Sequence, residues 1–205
     1  MRRRPNPDQR RNELCDAAIR LLADDGIKGV SHLKVDRKAG VPDGTTSFYF
    51  RTRSALLQAV AARVAELDLK DLTAATRAQL PSGAMTVDEP SRLATLVMRS
   101  ATGARLVRTK ARYELALQAV RDSVLGAALQ SYSDEFLALI RDAVLRLQNV
   151  PNPELAEQQA YAVMMFLSGV MLAMASGDRS IRTAQQLDGL ISGIVLGIGA
   201  TETRG

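Results

Sequence analysis

Apolar residues recur every three to four positions along almost the whole chain, and the places where that rhythm stops carry glycine, proline or a short capping side chain. Pro7 to Asp25 bears the stripe Leu14, Cys15, Ala18, Ile19 and Leu22 and stops at Gly26, which predicts a first helix. Ser31, a good N-cap, opens a second that ends at Ala39 and Gly40. A third helix is expected to open at Pro42 and Asp43, and a fourth to run from Thr52, its N-cap, to about Leu72. Leu80 to Pro90 breaks the pattern with two prolines and a glycine. Five further helices follow: Ser91 to Thr102, Arg105 to Arg121, Ser123 to Gln148, Glu154 to Ser176 and Thr183 to Ala200. Pro151, Asn152 and Pro153 separate two of these, and Ser176-Gly177-Asp178 ends the next. The expected fold is all-α with about nine helices.

Composition agrees with this expectation. The chain has 205 residues, 46% hydrophobic, with 4% aromatic and no Trp, enough to bury one large core or two small ones. Its formal charge of +5 is unevenly placed. Residues 1–55 hold twelve Lys and Arg against seven Asp and Glu, and residues 56–205 hold fifteen of each. All the excess positive charge therefore lies in the first quarter, the footprint of a surface that meets a polyanion.

A single cysteine, Cys15, excludes an intramolecular disulfide, and its place on the first apolar stripe predicts a buried small residue rather than a redox sensor. A single histidine, His32, leaves no histidine cluster for a metal or a triad, and Asp36 four residues on predicts a local pair. No cofactor is expected. Arg2 to Arg4 lead into a polar segment rather than a leader's apolar run, and the longest apolar stretch, Tyr161 to Ala175, is short for a bilayer of about 30 Å. The expectation is a soluble, cytoplasmic protein with no membrane partner. Met1 to Asn6 is a basic tail, read first as a solvated end and second as an arm toward a DNA groove.

The segment Ser31 to Leu57 concentrates the unusual chemistry. Gly40 can take the left-handed conformation that ends one helix, Ala39 lets two helices cross closely, and Val35 and Val41 fill the corner. This is the anatomy of a helix-turn-helix. The helix after the turn offers the hydroxyls of Thr45, Thr46, Ser47 and Tyr49 and the rings of Phe48 and Tyr49, with Arg51 and Arg53 behind. Short polar side chains let a helix lie deep in a major groove while cations meet the phosphates. Lys34, at the start of the preceding helix, is expected to join them.

The run Ala39 to Leu57, AGVPDGTTSFYFRTRSALL, resembles the tetracycline-repressor (TetR) family of bacterial transcriptional regulators, whose pattern reads AGVS-x-GTLYYHF-x-S-K-x-x-L. Ala39, Gly40, Val41, Gly44, Thr45, Tyr49, Phe50, Arg53 and Leu56 are the matching positions; Pro42 replaces a capping Ser, Ser47 an aromatic, and Arg53 keeps the charge of the usual Lys. The resemblance implies a helix-turn-helix DNA-binding domain over 7–55, its motif at about 31–50, followed by a helical effector-binding and dimerisation domain over 56–205. It further implies a homodimeric, sequence-specific repressor that a small molecule releases from a palindromic double-stranded operator.

The last helix sets Gly189, Gly193 and Gly197 four residues apart among Leu190, Ile191, Ile194, Val195, Leu196 and Ile198. Each such glycine costs about 1 kcal/mol of helix stability relative to alanine, so close approach by another helix must offset it. Ala160 to Ala175 within the chain is one candidate, and a second copy of the chain is the favoured one. The expected dimer interface is Met171, Gly189, Gly193, Ile194 and Gly197. Methionines and aromatics in the middle helices suggest a largely apolar effector pocket at Met98, Arg112, Tyr113, Phe136 and Phe166. The rival expectation is a helical small-molecule binder or enzyme with an incidental helix-turn-helix, against which stands the lack of catalytic equipment: one His, one Cys and no phosphate-binding glycine loop.

Overall fold

The computed structural model describes residues 6–77, 91–147 and 152–202. The tail before Asn6 and the Leu80 to Pro90 break, apart from the helix it precedes, lie outside the described residues. Nine α-helices and no strand occur among the described residues: α1 Pro7–Asp25, α2 His32–Ala39, α3 Thr45–Tyr49, α4 Arg53–Arg77, α5 Arg92–Ser100, α6 Gly103–Ala119, α7 Ser123–Leu147, α8 Pro153–Ala175 and α9 Ala184–Glu202.

Most boundaries follow from local chemistry. Asn6 accepts from the Asp8 amide and Pro7 takes the first helical position, so α1 starts there. Asn152 and Pro153 repeat the device for α8, with the Leu155 amide 3.1 Å from the Asn152 side chain. Thr52 receives the Ala55 amide at 3.1 Å and opens α4. Two boundaries differ from expectation. The turn Pro42 to Gly44 is not yet helical, because Gly44 sits at φ 92°, and α3 begins only at Thr45. Helix α4 continues to Arg77, past the expected stop at Leu72.

The chain packs as two compact units. The first gathers α1 to α3, α4 as far as Lys70, and the stretch Val107–Tyr132. Its core is built from Leu14, Leu22, Val30, Val35, Leu56, Val60, Val64, Leu115 and Leu125, all essentially sealed from water. Packing thus reaches beyond the 7–55 head, since Leu56, Val60 and Val64 lie on the face of α4 that closes over α1. Polar ties complete it. Arg63 on α4 holds Asp16 on α1 at 3.0 Å, and Asp68 on α4 lies between Arg108 at 3.0 Å and Arg112 at 3.3 Å on α6. The Glu114 carboxylate accepts the Ile27 amide at 2.9 Å, and Asp122 accepts the Ser54 hydroxyl at 3.0 Å.

The second unit contains α5, the later part of α7, α8 and α9. Helix α8 buries Ala156, Ala160, Val163, Leu167, Val170, Met171 and Met174, and α9 answers with Leu187, Ile191 and Val195. Gln159, buried among them, donates to the Val195 carbonyl at 2.7 Å and so satisfies itself across the pair. By length and composition alone α8 is long and apolar enough to cross a bilayer, a test that the core helix of a soluble protein also passes, and Val163, Leu167 and Val170 are buried along it.

Candidate nucleic-acid interface

The turn between α2 and α3 is fixed by backbone geometry and by one buried carboxylate. Gly40 adopts φ 66°, ψ 35°, a left-handed cap that stops α2. Asp36 sits one turn earlier on α2 and is only 1% exposed. Its two oxygens accept from the Gly44 amide at 2.8 Å, the Thr46 amide at 2.7 Å and the Thr46 hydroxyl at 2.5 Å. A side chain of the first helix therefore caps the second and fixes its direction of departure.

The far end of α3 is held by nitrogen donors. Arg11 on α1 donates to the Tyr49 carbonyl at 3.1 Å and lies 4.6 Å from the centre of the Phe50 ring. His32 Nε2 is 2.7 Å from the Phe50 carbonyl, which can only accept, so Nε2 carries the proton. Arg53 donates Nε to the Val30 carbonyl at 3.2 Å and Nη2 to the Ile27 carbonyl, joining the start of α4 to the turn before α2. Lys38 reaches Asp24 at 3.0 Å.

Of the residues expected to face DNA, Lys34, Ser47, Phe48, Arg51 and Arg53 are exposed, and Thr45 and Tyr49 are half-buried. Phe48 stands out at 70% exposed, its ring edge-on to Tyr49 with centroids 5.2 Å apart. The Thr45 hydroxyl is spent on the Pro42 carbonyl at 2.6 Å. Thr46 requires correction: it is fully buried and bonded to Asp36, so it positions the helix and offers nothing outward. Arg53 is a clamp for the Ile27 and Val30 carbonyls before anything else. The expected His32–Asp36 pair is also replaced, because Asp36 turns inward to α3 and His32 turns to Phe50.

Asp36, Arg11 and His32 are positioning residues that sequence reasoning missed. The available signal was Asp36 itself, a carboxylate adjoining the apolar corner of Val35 rather than on the outer face of α2.

In the second unit, a cleft of about 370 Å³ is lined by Met165, Phe166, Val170 and Met174 with Asp178 and Ser180 at its rim. Hydrogen bonds from Ser180 hold the Asp178 carboxyl below its usual range. Phe166 is the one residue of the expected pocket set that lines this cleft. Arg112 and Tyr113 lie in the first unit, Arg112 on Asp68 and Tyr113 with its phenol pushed up by burial. Met98 is half-buried on α5 and Phe136 buried on α7.

The expected dimer residues divide. Gly189, Gly193 and Gly197 are exposed, and a Cβ built on any of them meets nothing within 4 Å, so among the described residues no helix approaches that ridge closely. Ile194 is half-buried. Met171 is buried within the single chain, 6% exposed. Beside the ridge stand exposed Leu190 and Leu196, and α8 exposes Tyr161, Met165 and Leu172 along one stripe.

An all-helical chain with a rigid helix-turn-helix and a basic N-terminal quarter defines the broad class, a nucleic-acid-binding regulator. Comparison with known proteins narrows it. Residues 14–60 match the domain described as "Bacterial regulatory proteins, tetR family", and residues 85–197 match the "Tetracyclin repressor-like, C-terminal domain". The chain belongs to the tetR family of bacterial regulatory proteins.

Solved structures share the fold. The multidrug binding protein EbrR, complexed with imidazole, is 24% identical with a TM-score of 0.63, over 93% of this chain and 96% of its own. A transcriptional regulator from Rhodococcus sp. Rha1 is 17% identical with a TM-score of 0.71, covering 95% and 96%. A TetR-family member from Streptomyces coelicolor A3 is 23% identical with a TM-score of 0.69, covering 93% and 98%. No curated protein sequence matches the chain.

Proposed function

We propose that this chain is a homodimeric, cytoplasmic transcriptional repressor that grips a near-palindromic operator and lets go when a small, largely apolar molecule binds its second unit. The observation that carries this is the Asp36 lock: a recognition helix fixed at both ends, presenting Ser47 and Phe48 outward with Lys34, Arg37 and Arg51 exposed around it. A structural corner has no need of such a surface.

Pairing is supported by the bare glycine ridge of α9 and the exposed Tyr161, Met165 and Leu172 of α8. A second copy laid there offsets the helix propensity lost at three glycines. Two-fold symmetry then spaces the two α3 helices for successive major grooves, about 34 Å apart. The effector site is supported by the apolar cleft, which shares Met165 and Gly169 with the α8 face offered to the partner. An occupant there bears on how the subunits meet, and it shifts the equilibrium only by binding the non-operator arrangement better. Proflavin and ethidium, both of which are complexed with EbrR in solved structures, are reasonable first probes.

The test is a mobility shift with an inverted repeat selected from random DNA, at two salt concentrations, alongside light scattering for mass. A dimer that prefers the repeat, with affinity falling steeply as salt rises, is the expected result. A monomer indifferent to sequence overturns the proposal.

A further inference from the structure

On α3 the hydroxyls that suggested hydrogen-bonded base recognition are largely committed elsewhere. Thr45 is tied to the Pro42 carbonyl and Thr46 to Asp36. Tyr49 is half-buried. What the helix offers outward is the Ser47 hydroxyl and the Phe48 ring, the latter 70% exposed and braced edge-on by Tyr49 at an interplanar angle of 83°. A phenyl ring carries no conventional hydrogen-bond donor or acceptor, so it cannot read a phosphate or a base amide as a hydroxyl does. The major groove holds one apolar group on its floor, the C5-methyl of thymine.

We propose that Phe48 selects a thymine in each half-site by covering its C5-methyl group. This rests on the DNA-reading function proposed above and names what that surface discriminates. The side chain is well suited because it is 70% exposed and packs edge-on against Tyr49, with centroids 5.2 Å apart. Arg51, exposed just beyond, supplies the phosphate contact that sets its depth.

Replacing thymine with uracil in a selected operator removes the methyl and leaves every hydrogen-bonding edge intact. Wild-type protein is expected to lose about fourfold in affinity for one such replacement, the value of one buried methyl group, and about fifteenfold when the symmetric pair is replaced. Phe48→Ala, at an exposed position that leaves the core untouched, is expected to bind the thymine and uracil operators equally. The proposal is overturned if wild-type protein ignores uracil at every position, or if Phe48→Ala keeps the full thymine preference. A wild-type protein that prefers no selected sequence over random DNA overturns the DNA-reading function as well, which separates the two failures.

Discussion

Replacing Asp36 with alanine removes the acceptor for the Gly44 amide, the Thr46 amide and the Thr46 hydroxyl at once. Thr46 is fully buried, so water cannot readily take over. Each buried polar group left unmatched costs about 1–3 kcal/mol, and the lower end suits the Gly44 amide, which sits in an exposed turn. The sum is about 3–7 kcal/mol, a large share of the roughly 5–15 kcal/mol that holds a typical domain together. For a chain of this length that lowers the melting temperature by about 6–28 °C. Thr46→Val, which deletes only the hydroxyl, is expected to cost about 1 kcal/mol. Calorimetry measures both, and hydrogen exchange at the Gly44 and Thr46 amides localises the loss. An Asp36→Ala protein melting within about 2 °C of wild type, with those amides still protected, refutes the assignment of Asp36 as the lock.

Gly40→Ala meets no neighbouring atom, so its cost arises from the left-handed backbone alone, about 1–2 kcal/mol by denaturant unfolding; a neutral effect excludes that explanation. Cys15 is buried and its thiol is pushed up to about 12, first by desolvation, so a disulfide reagent at about pH 8 is expected to label it only after unfolding. The Leu125 amide and then the Ser54 hydroxyl hold the Asp122 carboxyl below its usual range. Its depressed folded value means it stabilises above the unfolded carboxylate range near about pH 4 and loses that contribution as pH falls through the folded value. The melting difference between wild type and Asp122→Ala should therefore be constant above about pH 5 and shrink at lower pH.

Helix limits were legible because they depend on neighbours in sequence. Pro7, Gly26, Ser31, Gly40, Thr52 and Pro153 act on amides or carbonyls within a turn of themselves, and the structure places caps or stops at each. The glycine ridge of α9 was legible as a periodic sacrifice of propensity. Thr46 and His32 were misread for one reason: their partners lie across the corner, at Asp36 and Phe50. Spacing along a helix cannot show that an i,i+4 neighbour is outcompeted by a backbone group from another element. Helix α8 is apolar nearly all round, so only packing decides which of its sides turns inward.

Ile27 has both main-chain polar groups spoken for, its N–H by Glu114 from α6 and its C=O by Arg53 from α4. The joint between α1 and α2 is therefore gripped through atoms common to every amino acid except proline, whose ring lacks the amide hydrogen. Both bonds survive any side chain at residue 27 other than proline, so that side chain answers only to its packing on the core, while the fingers of the grip, Glu114 and Arg53, are the places where change would be felt at a distance.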